Sequence, residues 1–163
     1  MERILENVKK TKSTAKIGSI FVAIFLFGFL GTLITWIFLA AYLLTIYKPG
    51  TKITPHEERI AMLIDLFFIL FIIFVILFAI TNIIVNIMLI MSSSSIYIPN
   101  EVKDDAEVVS IIKSYKSLVV ILAIIGFFLS LIFIIAVWIS SNNKISFLKS
   151  KIKQLEKQAN KQN

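Results

Sequence analysis

The chain has 163 residues, 58% of them apolar, with a mean hydropathy of +0.89 and a formal charge of +7. That balance excludes a soluble globular domain, because the apolar residues gather into long runs and the charges into the ends and two short loops. There is no cysteine, so disulfides and thiolate metal sites are excluded. The basic surplus does not describe a nucleic-acid binder. Its Lys clusters flank hydrophobic runs, where anionic lipid headgroups attract each basic residue by about 1 kcal/mol.

Residues 1–16 place Arg3, Lys9, Lys10, Lys12 and Lys16 among Ile4, Leu5 and Val8. This basic amphipathic segment is expected to lie along the headgroups. Residues 17–47 then run for 31 positions without a charge. A hydrocarbon core of roughly 30 Å takes about 20 helical residues to cross, so this is a first transmembrane helix. It exceeds the roughly 7–15 residues of a cleaved signal core and reads as an uncleaved signal-anchor. Lys48-Pro49-Gly50 should stop it.

The loop 48–59 carries Thr54-Pro55-His56-Glu57, a capping box in which Thr54 and Glu57 exchange hydrogen bonds and Pro55 takes the first helical position. Residues 60–91 form the second transmembrane helix, apolar apart from Asp65, Asn82 and Asn86. Ser92–Ser95 and Pro99 open a Ser-rich linker, 92–117. Within it Asn100 is expected to cap a third helix whose first turns are acidic, with Glu101, Asp104, Asp105 and Glu107. The third span is 118–141, and a basic amphipathic tail occupies 142–163. The expected fold class is therefore all-α: a polytopic integral membrane protein, a three-span helical bundle with amphipathic N- and C-terminal helices.

Asp65 is the one ionisable group well inside an apolar run. It is either an intramembrane proton or cation site, or an interfacial carboxylate that snorkels or pairs with Lys48. One acid near an interface makes no pathway, which favours the second reading. Asn82 and Asn86, four apart, join Asp65, Ile72, Ala79 and Ser93 in a polar and small-residue stripe that should face other helices. Gly28, Gly31, Thr32 and Thr35 on the first helix, with Ala123, Gly126 and Ser130 on the third, supply close-approach surfaces for it. The alternative is a polar substrate path, which would call for more ionisable groups at mid-depth.

His56 is the single histidine, without a second His or a Cys to complete a metal site. Ser92–Ser95 has no base to activate a nucleophile. No enzymatic role, metal or cofactor is expected. The Trp and Tyr residues read as interfacial and packing aromatics.

In the tail, Ile145, Leu148, Ile152, Leu155 and Ala159 recur at alternating spacings of three and four, an a/d seam of a short coiled coil. Its occupant is a lipid surface, a second copy, or the helix of another membrane protein. With three spans the Lys and Arg residues nearly tie, eight on the side of the N-terminal segment against nine on the other. The six in the tail favour a cytoplasmic C-terminus in a multi-pass cell-membrane protein. The expected function is non-enzymatic, an accessory or scaffold subunit of a membrane complex. The alternative is a self-assembling small channel, pore or transporter with a holin-like layout.

Overall fold

A computed structural model describes residues 1–47, 50, 53–98, 100–103 and 105–162, and of these the side chains at 101, 128, 129, 156 and 158–162 are left undescribed. Helix α1 is Glu2–Ile46 and helix α2 is Pro55–Ser94; a 3-10 turn, Asn100–Val102, precedes helix α3, Ala106–Gln162. The expected all-α class is observed.

The capping box forms at the start of α2. Thr54 N–H donates to Glu57 Oε2 at 2.6 Å, the Thr54 hydroxyl donates to the same oxygen at 2.8 Å, and Glu57 N–H returns a bond to Thr54 Oγ1 at 3.3 Å. Of the expected stop after α1, Lys48 and Pro49 lie outside the described residues, while Gly50 adopts φ +86°, a left-handed turn suited to glycine. The cap of α3 is a correction. Asn100 opens the 3-10 turn, and Asp105 is the residue that receives the Val108 N–H at 3.1 Å. That bond holds the Asp105 carboxyl below its ordinary range, with the Lys151 ammonium adding to the effect.

The larger correction concerns the number of spans. Four helical segments are long and apolar enough to cross a membrane: Glu2–Ile46, Pro55–Ser94, Ala106–Phe127 and Ser130–Leu155. The expected third span, 118–141, is thus divided between two segments, because α3 doubles back on itself. Lys151 Nζ lies 2.8 Å from Glu107 Oε2 and 3.4 Å from Asp105 Oδ2, although 44 residues of straight helix would separate the first pair by about 66 Å.

The physical reason is a matched pair of seams. On the first arm, Ala106–Phe127, the buried residues are Val108, Ile112, Tyr115, Val119 and Ala123. On the second arm, Ser130–Leu155, they are Ser130, Ile134, Val137, Ser141, Ile145 and Leu148. Both sets recur at three and four residues, so the antiparallel arms cover one another along their length.

The chain divides into two compact units, Met1–Phe21 with Thr81–Asn163, and Val22–Ile80. In the first, α1 contributes Ile4, Val8, Thr11 and Ala15 at helical spacing, all fully buried. The basic N-terminal segment is therefore packed into a helical unit along one face, while Lys9, Lys10 and Lys16 stay exposed on the other. Lys12 on its partly covered side donates to Asn142 Oδ1 at 2.9 Å. Lys116 donates to the carbonyl of Ile96 at 3.0 Å, beside the end of α2. These pairings make successive segments antiparallel.

In the second unit α1 and α2 pair through aromatic rings, Phe29 with Phe71 at 5.2 Å and Trp36 with Phe68 at 5.6 Å between centroids. Among its described residues only Val22, Thr32, Glu57 and Ile60 are buried.

Glycines separate the tight faces from the open one. A Cβ added at Gly126 would lie 2.6 Å from Asn86 Oδ1, whereas one added at Gly31 meets nothing within 4 Å. Gly126→Leu is expected to destabilise the protein by about 1–3 kcal/mol through overpacking, and Gly31→Ala to stabilise it by up to about 1 kcal/mol through helix propensity. Thermal unfolding of both variants in detergent, followed by circular dichroism, checks the opposite signs. Shifts in the same direction would contradict this packing.

Candidate functional site

The first unit carries a core of buried polar side chains drawn from every helical segment within it. The Thr11 hydroxyl donates to the Asn7 carbonyl at 3.1 Å, which leaves Ser92 to donate to Thr11 Oγ1 at 2.8 Å. Ser141 donates to the Val137 carbonyl at 2.7 Å, so Tyr115 Oη donates to Ser141 Oγ, 2.6 Å away. Asn82 Nδ2 donates to the Phe127 carbonyl at 3.2 Å, and Asn86 Nδ2 donates to both the carbonyl and the side-chain oxygen of Asn82 at 2.8 Å. Each link ties two turns or two helices, and each is worth about 0.6–2 kcal/mol in a bilayer. Asn86 Oδ1 and Ser93 Oγ are buried without a protein partner.

On the outer surface of this unit a furrow runs between α1 and α2. Its main part, about 330 Å³, is lined by Lys10, Ser13, Thr14, Ile17, Gly18, Phe21, Thr81, Ile84, Val85 and Met88. A second recess of about 290 Å³ shares Lys10, Thr14 and Met88 with it and adds Met91, Ser92 and Ser95. The furrow exists because Gly18 lacks a side chain; a Cβ there would run into the Val85 side chain. Lys10, Ser13 and Thr14 gather at one end, and apart from Thr81 the rest of the main lining is apolar.

The residues singled out in the sequence fall into distinct places. Asn82, Asn86, Gly126 and Ser130 meet in the first unit, where Asn86 packs against Gly126. Gly28 lies in the second unit under the Phe74 ring. Gly31 faces open space instead of a helix, and Thr35 spends its hydroxyl on the Gly31 carbonyl of its own helix at 2.9 Å. The proposed stripe is split: Asn86 and Ser93 are buried, while Asp65, Ile72 and Ala79 are exposed. The Asp65–Lys48 pair lies outside the described residues, since Lys48 is one of those not described.

In the tail, Ile145 and Leu148 are buried against the rest of the first unit, Ile152 is partly covered and Leu155 is 44% exposed. His56 meets the edge of Tyr42, ring centroids 6.5 Å apart. Among the described residues no three His, Cys, Asp or Glu side chains come together to hold a metal ion.

Sequence reasoning missed the furrow and the hydroxyl pairs. The signal for the pairs was present in the spacing of Ile4, Val8, Thr11 and Ala15, a buried face interrupted by one hydroxyl. The furrow had no such signal, because Gly18 gains meaning only opposite Val85.

Tyr115→Phe removes one interhelical bond and leaves Ser141 its bond to Val137, so a loss of about 0.6–1.5 kcal/mol is expected. Denaturant titration in mixed micelles measures it; a loss above about 3 kcal/mol would show a role beyond this bond. Comparison with protein-family models, with curated proteins and with solved structures gave no match to this chain.

Proposed function

We propose that the chain is a non-enzymatic integral membrane protein, an accessory or scaffold subunit of a membrane complex, with its N-terminal segment and its tail both on the cytoplasmic side. The single observation that carries the assembly role is the open face of α1 in the second unit. There Gly31 has nothing within 4 Å, while Ile24, Phe27, Ile34 and Phe38 around it are half exposed or more. A glycine notch between bulky side chains lets the backbone of another helix approach closely, and in lipid this packing is what drives helices together. Asp65, exposed within the apolar run of α2, adds a polar group that an assembled complex would cover.

The orientation rests on parity. The reversal of α3 makes the number of long apolar segments even, and a hairpin returns the chain to the side it left. Residues 1–16, 92–116 and 142–163 then share one face and hold fourteen of the seventeen Lys and Arg residues, against three in 48–59. A near tie for three spans becomes a strong positive-inside bias for four.

Because the chain has no cysteine, single substitutions report both points. In sealed cells a membrane-impermeant maleimide is expected to label Ile53→Cys, and to label Lys103→Cys and Lys157→Cys only after permeabilisation. Labelling of Lys157→Cys without Lys103→Cys would restore an odd number of crossings. Oxidation of Gly31→Cys in intact membranes, alongside a thiol-to-amine crosslinker, is expected to give adducts heavier than the 18.5 kDa chain. A band at twice that mass identifies a second copy and other masses identify a partner. Monomer alone under both treatments would sink the assembly role.

A further inference from the structure

We propose that the furrow between α1 and α2 is a binding site for one anionic phospholipid, with its phosphate on Lys10 and one acyl chain laid along Gly18 and Val85. The inference rests on the membrane reading above.

Three observations commit the furrow to that occupant. The first is charge. Lys10 lines both parts of the furrow, and among the described residues the ion pairs belong to Lys151, so no carboxylate answers the Lys10 ammonium. Ser13 and Thr14, one turn further along the same face, present hydroxyl donors beside it. An ammonium with two hydroxyls suits the non-esterified oxygens of a phosphodiester.

The second is polarity. Past Thr14 the lining is apolar through Ile17, Phe21 and Val85, with the Thr81 hydroxyl as its one polar side chain, which matches the order of headgroup and chain in a lipid. Lys10 lies two turns before Ile17, where the charge-free run begins, and this is headgroup depth.

The third is length. From Ile17, where the charge-free run begins, to Phe21 the helix rises about 6 Å, well within the roughly 15 Å of hydrocarbon in one leaflet. The furrow therefore accepts a chain from a single leaflet, and the basic face places it in the cytoplasmic one, where anionic lipids concentrate. Gly18 makes the floor by letting α1 approach Val85.

The test uses the full chain in neutral detergent, with dioleoyl phosphatidylglycerol or dioleoyl phosphatidylcholine added at equal mole fraction. Native mass spectrometry counts retained lipids, and thermal unfolding reads protection. The expected result is one phosphatidylglycerol retained in preference to phosphatidylcholine, with a higher midpoint. Lys10→Ala should weaken that preference about fivefold, as loss of one basic contact near a headgroup implies. Lys9→Ala, exposed and outside the furrow, should keep it.

Equal retention of the two lipids would overturn the proposal. So would an equal loss in Lys9→Ala and Lys10→Ala, which marks diffuse attraction without a site. Ile84→Trp, at an exposed position of the lining, should block the chain while leaving the ammonium in place; unchanged retention there would also overturn it. Membrane fractionation separates the two levels of failure. A chain recovered in the soluble fraction removes the membrane reading itself, and a membrane-bound chain without lipid preference removes only this site.

Discussion

The first unit depends on the reversal of α3 between its two arms. Because the chain turns back there, the first arm finds cover within its own helix, as Tyr115 does against Ser141. The same reversal carries Lys151 to Asp105 and Glu107, while the first arm meets α2 where Gly126 lies against Asn86. The ion pair itself lies at the solvated surface, where such pairs hold little, so it marks the closure of the hairpin more than it causes it. The cause is the complementary spacing of the two seams.

A bilayer removes the force that would assemble such helices in water, since lipid tails are as apolar as leucine. What remains is close packing and a small number of polar links. The structure uses both in the first unit, where Thr11 with Ser92, Tyr115 with Ser141, and Asn82 with the Phe127 carbonyl join different segments. The second unit relies on tilted aromatic ring pairs and on Gly28 beneath Phe74. It keeps few side chains buried among its described residues.

The functional reading follows from that contrast. A polar interior whose hydroxyls are mostly engaged is suited to packing, and among the described residues no three His, Cys, Asp or Glu side chains gather to hold a metal ion. The surface carries the notch at Gly31, the exposed carboxylate of Asp65, and the furrow headed by Lys10. Under the proposed function these are the groups that meet other molecules in a membrane. Of the described seam residues in the tail, Ile145 and Leu148 are buried while Ile152 and Leu155 retain exposure.

Much of this was legible in the amino-acid order, and the division between legible and hidden has a physical basis. Long charge-free runs, the Thr54–Glu57 capping box, and the polar positions Asn82 and Asn86 are local facts. Hydropathy and hydrogen bonding within a turn are set by neighbours a few residues apart, so the sequence alone determined the apolar class, the helices and that cap. It misplaced the cap of α3 by a few residues because Asn100 and Asp105 are both competent and only the backbone path chooses. The span count was hidden for a deeper reason. Residues 118–139 are the right length for one crossing, and no proline interrupts them. Whether they cross once or fold into two arms depends on pairings such as Tyr115 with Ser141, 26 residues apart, and Glu107 with Lys151, 44 apart. Such pairings leave no periodic mark that differs from that of an open amphipathic helix. Tertiary structure alone decided them, because only the folded chain brings residues so far apart in sequence into contact.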